Sequence, residues 1–309
     1  MQQNRLGATG LTVSQLAFGT APLGGLFGPV EERDAIALVH EALDLGITFV
    51  DTSPYYGSAE ERLGRALAGR RDDVVLATKA GRYGPADFDF TPDRLRRSVE
   101  QSLRLLRTDH VDILQLHDVE FVPLGPVLED SVAALASMRD EGLCRYVGVT
   151  GYPVATMSRA LREADLDVLL TYAHDTLLDD SLQDQLAPLA AERGVGLINA
   201  AAVALGLLTP HGSSMGADHP AGPVIRDAAR AMVELCAGRG VDVAFVANQY
   251  AVQRSGCATT LIGTGRSQHL RAAVAAVESP VDEALLAELV ALRPPPGERS
   301  WSSGLAENN

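Results

Sequence analysis

Three short apolar runs in this chain each end on an ionisable side chain. Phe49-Val50 leads into Asp51, Val74-Val75-Leu76-Ala77-Thr78 into Lys79, and the run that begins at Val111 into His117. A carboxylate, an ammonium and an imidazole at the points where the chain leaves a buried segment are candidates for proton chemistry. Singly, each has an ordinary structural role: the carboxylate caps the next helix, the lysine forms an ion pair, the histidine satisfies a carbonyl. On three consecutive runs that explanation needs three coincidences. The loop after Asp51 also adds Tyr55 and Tyr56, followed by Gly57.

A phenol beside an ammonium suits proton transfer coupled to hydride transfer. A free phenol titrates at about 10, and a neighbouring positive charge favours the phenolate and lowers that value. Lys79 is expected to exert that pull and Asp51 to hold Lys79. His117 is expected to hydrogen-bond the substrate oxygen and orient the reacting carbon.

These side chains converge only if their runs are neighbouring strands. Eight short β-branched or Leu-rich runs alternate with longer amphipathic segments: Leu16 to Phe18, Thr48 to Asp51, Val74 to Lys79, Val111 to His117, Tyr146 to Thr150, Val168 to Tyr172, Gly196 to Ala201 and Thr259 to Ile262. That alternation predicts an α/β fold with a parallel sheet, and eight such units close into a (β/α)8 TIM barrel whose active site gathers at the C-terminal strand ends. Pro92 to Leu106 and Asp130 to Glu141 carry apolar residues at helical spacing. Thr91-Pro92 marks a helix start, and Gly46, Gly142 and Gly194 mark helix stops. Gln2 to Val13 predicts an N-terminal β-hairpin plugging one barrel end. Asp282 to Arg293 predicts an extra C-terminal helix, followed by Pro294-Pro295-Pro296 and a tail with Trp301. That tail either covers the barrel mouth or is disordered. No linker divides the chain, so residues 1–309 are expected to form one domain, with Pro210 to Pro223 a long loop after the seventh strand.

The 309 residues, 46% of them apolar, suffice for such a barrel, which takes about 250. A net charge of −14 without basic blocks disfavours nucleic acid and anionic membrane as partners. Met1-Gln2-Gln3-Asn4-Arg5 is no export signal and no apolar run is of membrane-spanning length, so a cytoplasmic location is expected. Cys144, Cys236 and Cys257 read as reduced thiols, and His211 and His219 lie too far apart to build a metal site. No metal is expected.

The segment Asp51-Thr52-Ser53-Pro54-Tyr55-Tyr56-Gly57-Ser58-Ala59-Glu60 with Leu63-Gly64 closely resembles the signature of the aldo-keto reductases. Arg5-Leu6-Gly7, Gly19-Thr20 with Gly24-Gly25, Thr78-Lys79, and Asp112 to Gln115-Leu116-His117-Asp118 match in order and spacing, so the resemblance covers essentially the whole chain. It implies an NAD(P)-dependent oxidoreductase in which Tyr56 is the general acid/base and Asp51, Lys79 and His117 complete a catalytic tetrad. Tyr55, His117, His174 and Trp301 would line the pocket of a small carbonyl or sugar substrate.

The resemblance further implies cofactor contacts at Gly19, Thr20, Asp51 and Thr150. It extends them to the seventh strand's Asn199, Ala200 and Ala201 and the turn through Gly206, Leu207 and Leu208, which resemble the family's pyrophosphate loop where backbone amides serve, and to Gly263, Thr264, Gly265 and Arg266. The chain departs from the family in having Thr150-Gly151 where many members place Ser-Asn, and in lacking a Gln near the end of the sixth strand. Arg266 is displaced by one position from the common phosphate-binding arginine, and Ala272-Ala273 stand where Glu-Asn often meets the adenine. NAD is therefore favoured, with NADP open. The stretch from Asn199 through Leu207-Leu208-Thr209-Pro210 to His219 is similar to the branch holding aldose 1-dehydrogenases (L-fucose, L-galactose and D-threo-aldose) and pyridoxal 4-dehydrogenase. Such enzymes oxidise a hemiacetal hydroxyl to a lactone. General NADPH-dependent aldehyde or ketone reduction is the alternative within the family, and a cofactor-binding regulatory subunit the alternative outside catalysis. A metal-dependent hydrolase on the same barrel lacks the His-x-His it would need.

Overall fold

In the computed structural model, which describes residues 1–215 and 219–309, a two-stranded antiparallel hairpin of β1 (Gln3–Arg5) and β2 (Thr12–Ser14) comes first. Eight strands follow: β3 (Leu16–Gly19), β4 (Phe49–Asp51), β5 (Val75–Ala80), β6 (Val111–Leu116), β7 (Cys144–Gly151), β8 (Val168–Tyr172), β9 (Gly196–Ala200) and β10 (Thr259–Gly263). They pair in parallel and in sequence order, and β10 returns to β3 to close the barrel. Closure leaves no sheet edge unpaired.

Strands buried on both faces read as continuous apolar runs. Ala17, Phe49, Ala77, Ile113, Val168, Leu170, Ile198 and Leu261 fill the interior, joined from below by Leu6, Leu11 and Val13 of the hairpin. The Tyr146 hydroxyl donates to the Thr9 carbonyl and the Ala8 amide to Gly194 O, so the hairpin plugs the N-terminal barrel end. The alternate strand residues face the outer helices. The helix Pro92–Leu106 buries Leu95, Val99, Leu103 and Leu106 along one stripe. Each such burial is worth about 1.5–3 kcal/mol, which outweighs the weak propensities of the interspersed serines. Thr91 sits at the N-cap as expected, but its hydroxyl donates to Asp89 at 2.6 Å instead of accepting from the helix.

Two helices, Pro223–Gly238 and Val243–Gln253, separate β9 from β10 where a single helix was expected. Gly240 turns the chain with φ +68°, and the Asp242 carboxylate accepts from Ala244 N at 2.9 Å to start the second helix. With the helix Glu283–Ala291 they enclose a second apolar cluster around Leu177, Ile225, Met232 and Leu289. Positions 216–218 of the long loop lie outside the described residues. The C-terminal tail is docked. Arg293 and Arg299 both pair with Asp180, and Asn308 Nδ2 donates to the carbonyls of Glu120 and Val122 at 2.9 and 2.8 Å.

Candidate active site

Strand register brings the tetrad together. Asp51 closes β4 opposite Ala77, Lys79 sits opposite Gln115, and the His117 amide extends the β5–β6 ladder by bonding to Ala80 O at 2.9 Å. The Lys79 ammonium donates to Asp51 Oδ1, and to Thr52 O at 2.9 Å, while Gln115 Nε2 donates to Asp51 Oδ2 at 3.2 Å. Lys79 Nζ lies 4.9 Å from the centre of the Tyr56 ring, and that ring meets His117 edge-on at 5.6 Å. Ser53 Oγ is 2.9 Å from His117 Nδ1, which leaves Nε2 as the imidazole nitrogen without a hydrogen-bond partner among the described residues. Thr20 supports the arrangement from β3, its amide and hydroxyl both bonding to Asp51 O at 3.0 and 3.1 Å.

Burial and charge set the protonation states. Burial opposes the Lys79 charge, but Asp51 and Tyr56 more than offset it and hold the ammonium above its ordinary range. Burial pushes the Asp51 carboxyl up while Lys79 and Gln115 oppose it; with the ammonium in contact, the pair is ionised. Burial drives Tyr56 up to about 12, although Lys79 pulls it down as expected from the sequence. The lowering is real and outweighed. Burial takes His117 down to about 3, so the imidazole is neutral at any working pH.

Beyond the tetrad, Arg82 lies at the foot of a small loop closed by bridging to Phe88. Its guanidinium stands over the Tyr55 ring at 4.2 Å, with Phe88 and Phe121 rings at 5.2 and 5.5 Å, and pairs with Asp118. Asp118 Oδ2 is 3.7 Å from His117 Nε2. Asp118 holds a left-handed backbone, φ +55°, with its amide on Thr150 Oγ1 at 3.0 Å. Sequence reasoning gave Arg82, Asp118, Ser53 and Gln115 no role, although all but Arg82 fall inside quoted motifs.

The other side of the mouth differs from expectation in several places. The Thr150 hydroxyl is engaged with Asp118. Asn199 lies next to inward-facing Ile198, so strand alternation turns it outward, where Nδ2 donates to Asp175 O at 3.1 Å. The Gly206 and Leu207 amides, expected to face a pyrophosphate, turn back onto Val203 O and Ala204 O. Ala201, Ala204, Leu205 and Gly206 all have positive φ, and this tight turn explains the inward bonding. Ala200 ends β9 within the inner layer. Gly19 and Gly263 pair at the end of the β3–β10 ladder; a Cβ on Gly263 would come within 3.3 Å of Gly19 O, and one on Gly265 within 3.1 Å of Val30. Thr264 Oγ1 accepts from Arg266 N, and Arg266 is exposed with no ion pair among the described residues. A bare glycine rim with one unpaired cation, beside the tetrad, fits a nicotinamide dinucleotide.

His174 does not line the pocket. It is fully buried, with Nε2 on Tyr152 O at 2.6 Å and Nδ1 on Asp179 at 2.8 Å. Trp301 stacks on the Tyr152 ring at 4.5 Å and meets His219 edge-on at 5.7 Å. Glu120 is the seam between tail and barrel: its carboxylate accepts from Tyr152 N and Ser303 Oγ, and its carbonyl from Leu305 N. Burial, then the Asp118 charge, pushes Glu120 up to about 8.

Residues 15–293 match the aldo/keto reductase family. The chain is 39% identical to L-galactose dehydrogenase of Arabidopsis thaliana, covering 98% of each, and 30% identical to D-threo-aldose 1-dehydrogenase of a Pseudomonas species, covering 93% of this chain and 96% of that one. Pyridoxal 4-dehydrogenase of Microbacterium luteolum is 30% identical over 87% of this chain and 91% of its own. Among solved structures, an aldo-keto reductase from Bacillus halodurans superimposes with a TM-score of 0.77 at 26% identity, covering 97% of this chain and all of that one.

Proposed function

The chain belongs to the aldo/keto reductase family of NAD(P)-dependent oxidoreductases, and on that premise we propose that it oxidises the anomeric hydroxyl of a cyclic aldose to a lactone, using NAD+. The observation that supports a sugar substrate most is the end-to-end likeness to L-galactose dehydrogenase, which spans the tetrad loops and the tail alike.

A bound nicotinamide supplies the hydride acceptor. Tyr56 takes the hydroxyl proton, its phenolate favoured by Lys79, which Asp51 and the Thr52 carbonyl hold in place. Neutral His117 donates from Nε2 to the substrate oxygen while Ser53 fixes the ring through Nδ1. Gly263 and Gly265 would give the dinucleotide clearance along the β10 rim, with Arg266 exposed beside it, and Thr150 serves through Asp118. The bare glycines and single cation favour the less anionic cofactor. With Tyr56 at about 12, the free enzyme holds its proton, the form from which carbonyl reduction, the second reading, starts. Three free thiols, Cys144, Cys236 and Cys257, agree with a reducing compartment, and we place the enzyme in the cytoplasm.

The test is a panel of aldoses, pyridoxal and simple aldehydes followed at the nicotinamide absorbance with both cofactors. Lactone formation from an aldose with NAD+ is expected. Turnover confined to NADPH and simple aldehydes would replace this reading with general carbonyl reduction, and cofactor binding without turnover would replace it with a regulatory role.

A further inference from the structure

Resting on the sugar reading above, we propose that Arg82 and Asp118 form a subsite that recognises adjacent ring hydroxyls of the substrate. Both groups sit on the substrate side of the tetrad. Asp118 Oδ2 is 3.7 Å from His117 Nε2, the imidazole atom left free by Ser53, and Arg82 covers Tyr55, whose ring is 6.0 Å from His117.

The pair has hydrogen-bonding capacity to spare. Arg82 Nη1 bonds to Asp118 and Nε makes only a long 3.4 Å contact to Gly84 O, so Nη2 has no partner among the described residues. Asp118 Oδ1 has only the Thr150 hydroxyl at 3.4 Å. A guanidinium offers two parallel donors, and a carboxylate accepts from a hydroxyl. Together they match vicinal hydroxyls, each of which donates and accepts.

The pair is also held before substrate arrives. Aromatic rings flank the guanidinium, and Asp118 is fixed by its left-handed backbone and the bond from its amide to Thr150. Ordering costs on binding are thereby reduced. Because the two charges cancel, the subsite favours neutral polyhydroxylated substrates over sugar acids.

The test compares an accepted aldose with its monodeoxy analogues in three variants. Arg82→Met removes the fork, Arg82→Lys keeps the cation without it, and Asp118→Asn keeps the shape of a residue type that tolerates left-handed backbone. Thermal melts confirm folding. The wild type is expected to discriminate against at least one deoxy analogue by roughly tenfold or more in kcat/KM. Arg82→Met and Asp118→Asn should erase that discrimination at the same ring positions, with the loss falling on KM more than on kcat, and Arg82→Lys should be intermediate. Retention of the wild-type discrimination in folded variants overturns the subsite. So does a uniform fall in kcat for all sugars with a shifted pH profile, since the pair would then only support His117. If the wild type reduces simple aldehydes yet oxidises no aldose, the sugar reading fails first and the subsite falls with it.

Discussion

The β4–β6 side of the mouth is built mainly from side chains, with the Thr52 carbonyl beside them, whereas the β7–β10 side offers glycines, turned-in amides and one exposed arginine. Lys79 and Gln115 both bond to Asp51, and Ser53 bonds to His117, in two adjoining buried sets. Across the barrel, Gly263 and Gly265 lack a side chain, and the run from Ala201 to Gly206 is bent by positive φ at Ala201, Ala204, Leu205 and Gly206. A reaction centre needs particular groups at fixed distances, while a site for a long flexible cofactor needs clearance and a curved backbone. Side-chain changes should therefore be costly on the first wall and mild on the second.

The largest effect is expected for Tyr56→Phe, which removes the proton-transfer hydroxyl and keeps the ring. kcat should fall by about 10²- to 10⁴-fold with the cofactor Kd little changed. Near wild-type turnover would remove Tyr56 from its role and erase the contrast between the walls. Lys79→Met comes next. Lys79 pulls the Tyr56 phenol down, so its loss raises that group further. Oxidation uses the phenolate, so its rate limb should move to higher pH; a pH–rate profile that does not move would show the two groups to be uncoupled.

Glu120 sits where the walls meet. Its folded value of about 8 lies above an ordinary 4.5, so between those pH values the folded protein keeps a proton that the unfolded chain has lost. Stability should fall as pH rises through that window and level off above it. Glu120→Gln removes the titration while retaining an acceptor for Ser303 and Tyr152. The variant should gain relative to wild type between pH 5 and pH 9, on the order of a few kcal/mol. Melting-temperature differences that stay constant across that range would count against a protonated Glu120. The smallest effect is expected from Arg266→Ala: NAD binding measured by titration should change by less than about twofold. A selective loss of NADP binding of roughly 1.5–3 kcal/mol would show Arg266 to be a phosphate clamp.

The sequence made the barrel legible because strands buried on both faces must be apolar throughout, and each of the eight runs falls on a strand to within a residue or two at its ends. The convergence of Asp51, Lys79 and His117 was legible because ionisable residues at the ends of apolar runs are conspicuous. His174 looked equally conspicuous, yet both its nitrogens are bound internally, and residue type does not report which way a loop side chain turns. Asn199 failed for a related reason: one step of strand alternation separates inward from outward. The left-handed turn at Ala204 and Leu205 left no signal, because neither residue type favours that backbone. The helix break at Gly238-Arg239-Gly240 followed by Asp242 was readable from its glycines and capping carboxylate, but the expectation of one helix between successive strands passed over it.

Trp301 is the chain's only tryptophan, and it is stacked on Tyr152 with its amide bonded to the Tyr152 hydroxyl at 3.1 Å. Selectively excited tryptophan emission is therefore a reporter of the tail. The contacts that seat the tail join residues 113 to 188 positions apart, and two of their receptors, Glu120 and Tyr152, are in place only after β6 and β7 have paired. Such contacts carry a large loop-closure cost and form late. During refolding, far-ultraviolet circular dichroism should recover before Trp301 emission does. The interval between the two signals would measure the lifetime of a barrel that is already built but not yet sealed.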